Sequence, residues 1–282
     1  MGTPFIGFLE PTKLEGYRVG ASDDDQLPSI PKTFLDAMEV RKEVFVKEQD
    51  VPAENEFDTD DSRSCHWVVY ASINKTVVAE VRDDSGNVLQ PRRSSTRTTP
   101  AGTIRLVPFP HEPHPKPNGR YWAGVLEESG GGTAGGAGRQ GGLEASGGPG
   151  PTKSYAPDRP TTFHNGKEPY VKLGRLAVHR DFRGNHLAGL LVRTTLDWLR
   201  GHPSYFDPSV KELGLEQMGA ATDAEVPKWE GLVCVHAQVQ VADLWRRWGF
   251  EVDEGMGVWW EEGIEHVGMF QRLAIDNKKI HI

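Results

Sequence analysis

The sequence is poor in cysteine, in positive charge and in long apolar stretches. Its two cysteines, Cys65 and Cys234, are each flanked by apolar or aromatic residues, which predicts buried reduced thiols rather than a disulfide. The net charge of −8 argues against a general nucleic-acid binder, because such a protein needs a basic face. No stretch approaches the roughly 20 apolar residues that a membrane span requires.

The first residues, MGTPFIGFLE, lack the basic segment and the apolar core of a signal peptide. We therefore expect a cytoplasmic protein, with a nuclear location left open, that binds neither nucleic acid nor membrane. The sequence leaves the oligomeric state open, with a dimer as one option.

Glycine, in contrast, is plentiful and concentrated in one segment. Residues 129–150, SGGGTAGGAGRQGGLEASGGPG, offer almost nothing to bury, so they cannot offset their own ordering entropy. With its proline-rich flanks, this segment predicts a disordered insertion over 111–167. The structured parts of a single domain are then expected at about 30–83, 101–110 and 168–275.

The remaining sequence has the periodicities of regular elements. A helical pattern in TFLDAMEVRKEVFVKEQ is followed by two predicted strands, HWVVYASI and GTIRLVPF. After the insertion come the strand YVKLGRLAV, an amphipathic helix from Leu187, the buried strand GLVCVHAQ, the short helix VADLWRRW and one or two closing strands. This order predicts a single α/β (α+β) domain.

The stretch RLAVHRDFRGNHLAGLL, residues 175–191, predicts a strand, a basic turn and the start of a helix. Free amides at a helix N-terminus favour an anion, Arg183 adds a forked cation, and Gly184 lets the backbone approach closely. This pattern predicts a pyrophosphate cradle. The alternative is that Arg183 only pairs with a surface acid and Gly184 only turns the chain.

The turn has neither a Walker lysine nor the three spaced glycines of a dinucleotide fingerprint. Its residues R-G-N-H-L-A, Arg183 to Ala188, resemble motif A of the GCN5-related N-acetyltransferases (GNAT), which binds the pyrophosphate of acetyl-CoA. His186 stands where the family has its central glycine. If that position needs a positive φ, histidine costs on the order of 1 kcal/mol.

Other segments are similar to one branch of that superfamily, the ElaA-like acetyltransferases. RKEVFVKEQDVP, then ENEFDTDD and SCHW, resemble its N-terminal signature, and HAQVQVADLWRRWGFEV with EEGIEHVGM resembles its C-terminal elements. The matching segments span roughly 35–70, 100–110 and 168–272, in the family's order.

The resemblance implies the GNAT acyl-CoA N-acyltransferase fold, a mixed twisted sheet flanked by helices, in which two strands splay apart around the pantetheine arm. It implies an N-acetyltransferase that uses acetyl-CoA as co-substrate and no metal, with an amine that attacks the acetyl carbon directly. The implied cofactor-binding residues are Leu176, Ala177, Val178, Arg183, Gly184, Asn185, His186, Leu187, Ala188 and Gly189.

A base must deprotonate the acceptor amine, and Glu48, Asp58, His66 and His236 all lie in segments similar to the family. Glu48, as base or amine ligand, and His66 are the leading candidates. The alternative for both histidines is a core role, because each adjoins an apolar run. Trp245 stands where many family members have a tyrosine that protonates the leaving thiolate, which an indole N–H cannot do.

Two further patterns have plain alternatives. The acids between Glu54 and Asp61 could attract a cationic amine, or they could form a solvated loop. HEPH, His111 to His114, is predicted to be a polar loop rather than a metal site, because its prolines prevent a helix and no third ligand is near.

Two functions from other classes stay open at this point. One is a non-catalytic acyl-CoA-binding sensor or scaffold with the same fold. The other is an interaction protein that works through its Arg- and Gly-rich insertion. The substrate could be a polyamine-like amine, an amino sugar, or a lysine or N-terminal amine of a protein, and the sequence does not choose among them.

Overall fold

The computed structural model describes residues 3–78, 80–83, 85–86, 88–91, 93–127, 157–207, 222 and 226–275. The glycine-rich stretch 129–150, predicted to be disordered, lies outside them. Within the described part of the chain, no helix is long and apolar enough to cross a membrane.

A mixed sheet organises the described residues. Its strands are β1 (Phe5–Leu9), β2 (Cys65–Val78), β5 (Arg93–Val107), β6 (Arg120–Trp122), β7 (Val125–Leu126), β8 (Val171–Val178), β9 (Leu232–Gln238), β10 (Glu251–Val252), β11 (Val258–Glu261) and β12 (Ile264–Arg272). Between β2 and β5, the strands β3 (Val81–Arg82) and β4 (Val88–Gln90) form a separate hairpin. The order in the sheet is β1-β2-β5-β8-β9-β12-β11-β6-β7, with β10 on β12. Most neighbours are antiparallel, but β8–β9 and β6–β11 are parallel.

Helices flank this sheet. They are α1 (Lys32–Arg41), α2 (Ala53–Glu56), α3 (Leu187–Gly201) and α4 (Ala242–Arg247), and α1 continues into a π-helical segment, Lys42–Lys47. The predicted mixed sheet flanked by helices is thus confirmed.

The two faces of the sheet carry different helices because side chains alternate along a strand. Trp67 and Ile104 belong to the main core with Leu191 of α3. His66, the neighbour of Trp67, points the other way and meets Phe34 of α1, with ring centroids 5.5 Å apart. The sheet is therefore covered by α3 on one face and by α1 on the other.

Strand β5 begins earlier than the sequence indicates. RRSSTRTTP has a loop-like composition, yet the chain from Arg93 onward pairs with β2, from Val78↔Arg93 to Cys65↔Leu106. Pairing with a Val-rich neighbour supplies the ladder that the polar residues do not predict.

The predicted disordered insertion needs correction where it is described. Residues 111–127 and 157–167 fold onto the C-terminal strands: Arg120 and Tyr121 pair with β11, and Asp253 accepts hydrogen bonds from Thr161, Thr162 and Phe163. These segments carry aromatic and polar anchors that the glycine-rich stretch lacks, so they can offset their ordering entropy.

HEPH is a loop without regular structure, as predicted, but His114 is buried and His111 is half-buried. His114 is 4 % exposed, and its Nε2 lies 2.8 Å from Nδ1 of His164. His111 Nε2 lies 2.8 Å from the carbonyl oxygen of Tyr170. Among the described residues, no group of three or more His, Cys, Asp and Glu side chains could hold a metal ion.

Candidate functional site

The turn between β8 and α3 has a positive φ at position 186, where the resembling motif has a glycine. His186 is the N-cap of α3 and has φ 58°, in the left-handed region, and Gly184 has φ 80°. Position 186 therefore demands the positive φ that a glycine adopts without cost, and histidine adopts it at a cost on the order of 1 kcal/mol.

The backbone amides of this turn are available to a ligand. The first amide bonded within α3 is that of Leu190, which donates to the carbonyl oxygen of His186 at 3.0 Å. The N–H groups of Leu187, Ala188 and Gly189 precede it and have no intrahelical acceptor. They are aligned with the positive end of the helix dipole.

The turn also has room for an anion. A Cβ built on Gly184 would have no heavy atom within 4 Å, so open space adjoins the backbone there. Asn185 stabilises the turn, because its Nδ2 donates to the carbonyl oxygens of Phe182 at 3.0 Å and Arg183 at 3.2 Å. The geometry fits a diphosphate group bound by backbone amides.

Strands β8 and β9 separate beside this turn. Their parallel pairing covers Val171↔Val233 to Leu173↔Val235. Beyond that rung β8 keeps only its antiparallel pairing with β5, which runs to Gly102↔Val178 with a register irregularity near Arg175, whose φ is 51°. A gap therefore opens between the second half of β8 and the end of β9, as the family resemblance implies.

One cleft of about 1140 Å³ joins the gap and the turn. It is lined by almost all of the predicted site residues: Glu48, Leu176, Ala177, Val178, Arg183, Gly184, His186, Leu187, Ala188, Gly189 and Trp245. Asn185 and His66 do not line it. Two cations that the sequence did not single out, Arg193 of α3 and Arg247 of α4, also lie in its wall.

Arg183 pairs with an acid, and that acid is the predicted base. Its Nη2 lies 2.6 Å from Oε2 of Glu48, and its Nε donates to the carbonyl oxygen of Val178 at 3.0 Å. Arg180 lies farther off, with Nε 3.9 Å from Glu48 Oε1. The structure thus brings the predicted phosphate ligand and the predicted base together.

His66 is placed away from the cleft. The side chain is 1 % exposed, and Nε2 lies 2.9 Å from the carbonyl oxygen of Asp61, to which it donates. Burial lowers the pKa of His66 to about 4, against a partial opposing effect of Asp61. A neutral, enclosed imidazole there matches the core role, so His66 is not used in the function proposed below.

Part of the acidic stretch is a buried ion network, whereas Glu54 is exposed and Asp58 and Asp60 line the cleft. Asp61 is 1 % exposed and bonds Arg41 Nη1 at 2.7 Å and Arg105 Nη1 at 2.8 Å, and Glu56 bonds Arg41 Nε at 2.6 Å. Asp58 joins Arg105 at 2.7 Å. Sequence reasoning missed this network because each arginine comes from a distant element.

Trp245 is 5 % exposed and is held edge-on by Trp248 and Phe250, each with ring centroids 5.2 Å away. Trp245 lines the cleft, and so does Trp248, whose Nε1 would lie 3.2 Å from a Cβ on Gly189 in the turn. The indole is therefore a rigid wall of the cleft.

His236, a lesser sequence candidate, lies in the cleft together with a partner that the sequence did not reveal. Its Nδ1 is 3.0 Å from Oε1 of Glu261, which also accepts a hydrogen bond from Trp259 Nε1 at 2.7 Å. Glu261 is separated from His236 by 25 residues, so only the pairing of β9, β12 and β11 brings them together.

No family profile and no curated protein sequence matches the chain. Among solved structures it is similar to an acyl-CoA N-acyltransferase from Pseudomonas aeruginosa, at 15% identity and TM-score 0.42 over 95% of this chain and 99% of that one. It is also similar to Escherichia coli ElaA, at 14% identity and TM-score 0.43 over 96% and 100%.

Proposed function

We propose that this chain is an N-acetyltransferase that uses acetyl-CoA to acetylate a primary amine by direct attack. The observation that carries the proposal is the single cleft in which the helix N-terminal turn and the gap between β8 and β9 meet. Such a cleft can bind one ligand that has a diphosphate at the turn and an extended arm in the gap.

At the cofactor end, the amides of Leu187 to Gly189 and the dipole of α3 would bind the pyrophosphate. The guanidinium of Arg183 supplies a forked donor, and Arg193 and Arg247 add positive charge in the same wall. His186 takes part through its backbone, because its side chain is exposed at the left-handed corner.

In the gap, backbone groups of Leu176, Ala177 and Val178 would pair with the amides of a pantetheine arm, as they would with a further strand. A backbone donor there can also stabilise the negative charge that develops on the thioester oxygen during attack.

Direct attack is favoured over an acyl-enzyme because neither cysteine is available as a nucleophile. Cys65 and Cys234 are both 0 % exposed. Burial raises the pKa of the Cys65 thiol to about 12 and holds that of Cys234 well above its usual range. A buried protonated thiol cannot take the acetyl group.

The leaving CoA thiolate needs no strong acid. Trp245 can donate a hydrogen bond to sulfur but cannot release its indole proton at neutral pH. We therefore assign Trp245 the role of orienting and shielding the thioester, and the thiolate takes its proton from water.

Calorimetry with acetyl-CoA tests this proposal. The wild-type protein should bind saturably, and Arg183→Ala should weaken binding about tenfold or more, because it removes a charge-assisted contact worth about 1.5–3 kcal/mol. Arg200→Ala is the matched control: Arg200 lies near the C-terminal end of α3, far along the helix from the turn, and pairs with Asp197. Release of CoA thiol is then followed with ethylamine, ethanolamine, putrescine, glucosamine and a lysine peptide.

Two results would replace the proposal. Saturable binding without turnover on any amine would indicate the acyl-CoA sensor or scaffold. No binding at all would favour the interaction protein, and deletion of 128–156, which spares every described strand, would then test the glycine-rich segment.

A further inference from the structure

His236 occupies a distinctive position in the cleft. It is the first residue of β9 beyond the last rung shared with β8, which is Leu173↔Val235. Val235 and Ala237 point into the core beneath α3, so the side chain of His236 points to the other face. That face carries Lys172 and the cleft wall from β11 and β12.

Glu261 fixes the orientation of the imidazole. Its Oε1 accepts from His236 Nδ1 at 3.0 Å and from Trp259 Nε1 at 2.7 Å, while the Trp259 ring packs edge-on against the histidine with centroids 4.9 Å apart. Although burial acts to raise it, these hydrogen bonds hold the pKa of Glu261 well below its usual range. The partner of Nδ1 is therefore a carboxylate.

A carboxylate acceptor assigns the tautomer, because the Nδ1 atom must then carry the proton. The lone pair is left on Nε2, which has no hydrogen-bond partner in the part of the chain that the structure describes. The side chain is 17% exposed, so this lone pair is accessible from the cleft.

The charged and titratable groups that face His236 come from four elements. They are Lys172 on β8, Glu261 on β11, His266 on β12 and His114 in the loop after β5. Burial and Lys172 lower the pKa of His236, against the opposing effect of Glu261. The ring is consequently neutral and able to accept a proton at neutral pH.

We propose that His236 is the base that deprotonates the acceptor ammonium group, and that Glu261 is the positioning residue that holds its Nε2 toward the cleft. This assignment rests on the proposed function. The sequence favours Glu48 and His66 for this role, but in the structure Glu48 pairs with Arg183 and His66 is enclosed beside Asp61.

His236 Nε2 takes one proton from R–NH3+ and leaves R–NH2, whose lone pair forms a C–N bond to the thioester carbonyl carbon. Collapse of the tetrahedral species breaks the C–S bond, and CoA leaves as the thiolate. The second amine proton passes to water as the amide forms, the thiolate takes a proton from water to become the thiol, and His236 returns its own proton to water, so that one proton is released in total.

The experiment compares His236→Gln and Glu261→Gln with the wild-type protein on the panel amine that releases CoA thiol fastest. At about pH 7, His236→Gln should lower kcat about 100-fold while acetyl-CoA affinity stays within about twofold. Near pH 10, where much of the amine is neutral in solution, the deficit should shrink at least about tenfold, because a base is no longer required.

Glu261→Gln should lower kcat about tenfold and move the acid limb of the pH–rate profile to lower pH, because His236 loses its stabilising carboxylate. A merely structural role would lower the rate without moving that limb. His202→Gln and Glu265→Gln, the same substitutions at exposed positions, should leave kcat and the profile unchanged.

Nitrogen-15 NMR of the histidine rings gives a readout without turnover, with the His236 signals assigned by their loss in His236→Gln. The neutral ring should carry its proton on Nδ1. A proton on Nε2 instead, or a kcat within threefold of wild type for His236→Gln at pH 7, would overturn this assignment alone. Failure of the wild-type protein to bind acetyl-CoA or to acetylate any amine would overturn the proposed function and the assignment together.

Discussion

Glu48 and Arg183, 135 positions apart in the chain, form an ion pair in which Oε2 and Nη2 are 2.6 Å apart. The carboxylate thereby occupies a donor that the proposed function assigns to a phosphate oxygen. Because the carboxylate and a phosphate oxygen compete for the same positive charge, we expect binding of the cofactor to loosen this pair. Glu48 and the cofactor site are thus linked through a shared cation.

Glu48→Gln should therefore strengthen acetyl-CoA binding about two- to fivefold, because a partly exposed ion pair of this kind holds Arg183 by at most about 1 kcal/mol. Calorimetry of the variant beside the wild type measures the change. Glu43→Gln, which affects an exposed pair with Lys47, is the control and should have no effect. Weaker binding in Glu48→Gln would mean that the carboxylate assists the cofactor instead of competing with it.

Much of the fold is predictable from local patterns. The apolar spacing from Leu187 onward and the Val-rich run at 232–235 each indicate one element, and both are found within a residue or two. The positive-φ corner at position 186 is also predictable, because the motif that the turn resembles has a glycine there. These features depend on residues close together in the chain.

The site chemistry was less predictable because it depends on long-range pairings. In the sequence, Glu56 and Asp61 look like part of a solvated run of charges. In the fold they form ion pairs with Arg41 of α1 and Arg105 of β5. In the same way, nothing near His236 in the sequence indicates Glu261, whose position depends on how β11 and β12 pair. Strand register, rather than composition, decides which charges meet.

The left-handed conformation of His186 predicts an order of stability for substitutions at that position. The free energy of unfolding of His186→Gly should lie within about 1 kcal/mol of the wild-type value, since the loss of backbone strain at positive φ offsets the larger conformational entropy of glycine in the unfolded chain. His186→Val should lower the free energy of unfolding by about 1–2 kcal/mol, because a β-branched residue is disfavoured at positive φ. Urea unfolding of both variants measures this, and equal stabilities would mean that the corner relaxes.

The buried ion network predicts a large loss of stability when one cation is removed. Arg41 is 0 % exposed, and Arg41→Met leaves Glu56 and Asp61 with only part of their positive partners. The free energy of unfolding should fall by about 3–5 kcal/mol. Arg200→Met, at an exposed ion pair with Asp197, should change it by no more than about 0.5 kcal/mol. Comparable losses in the two variants would contradict this account.

Adding Asp61→Asn to Arg41→Met separates charge from packing. If the loss comes from an uncompensated carboxylate, the double variant should be more stable than the sum of the two single effects predicts, by about 1 kcal/mol or more. Strict additivity in urea unfolding would indicate that the lost packing of the arginine stem is responsible instead.

The buried histidines predict how stability depends on pH. Burial lowers the pKa of His66 to about 4 in the folded chain, against an ordinary value of 6.5, and that of His114 also to about 4. Between these pH values the unfolded chain binds protons that the folded chain excludes. The histidine contribution is thus fully present above about pH 6.5 and is lost as the pH falls toward 4.

For His66 alone this loss amounts to at most about 3 kcal/mol. Urea unfolding of the wild-type protein between pH 7.5 and 4.5 should show the fall, and His66→Gln should flatten it while keeping a side-chain donor for the Asp61 carbonyl oxygen. His202→Gln, at an exposed histidine, should leave the slope unchanged. An identical slope in wild type and His66→Gln would mean that His66 is protonated in the folded chain, with its charge accepted by Asp61 despite Arg41 and Arg105 nearby.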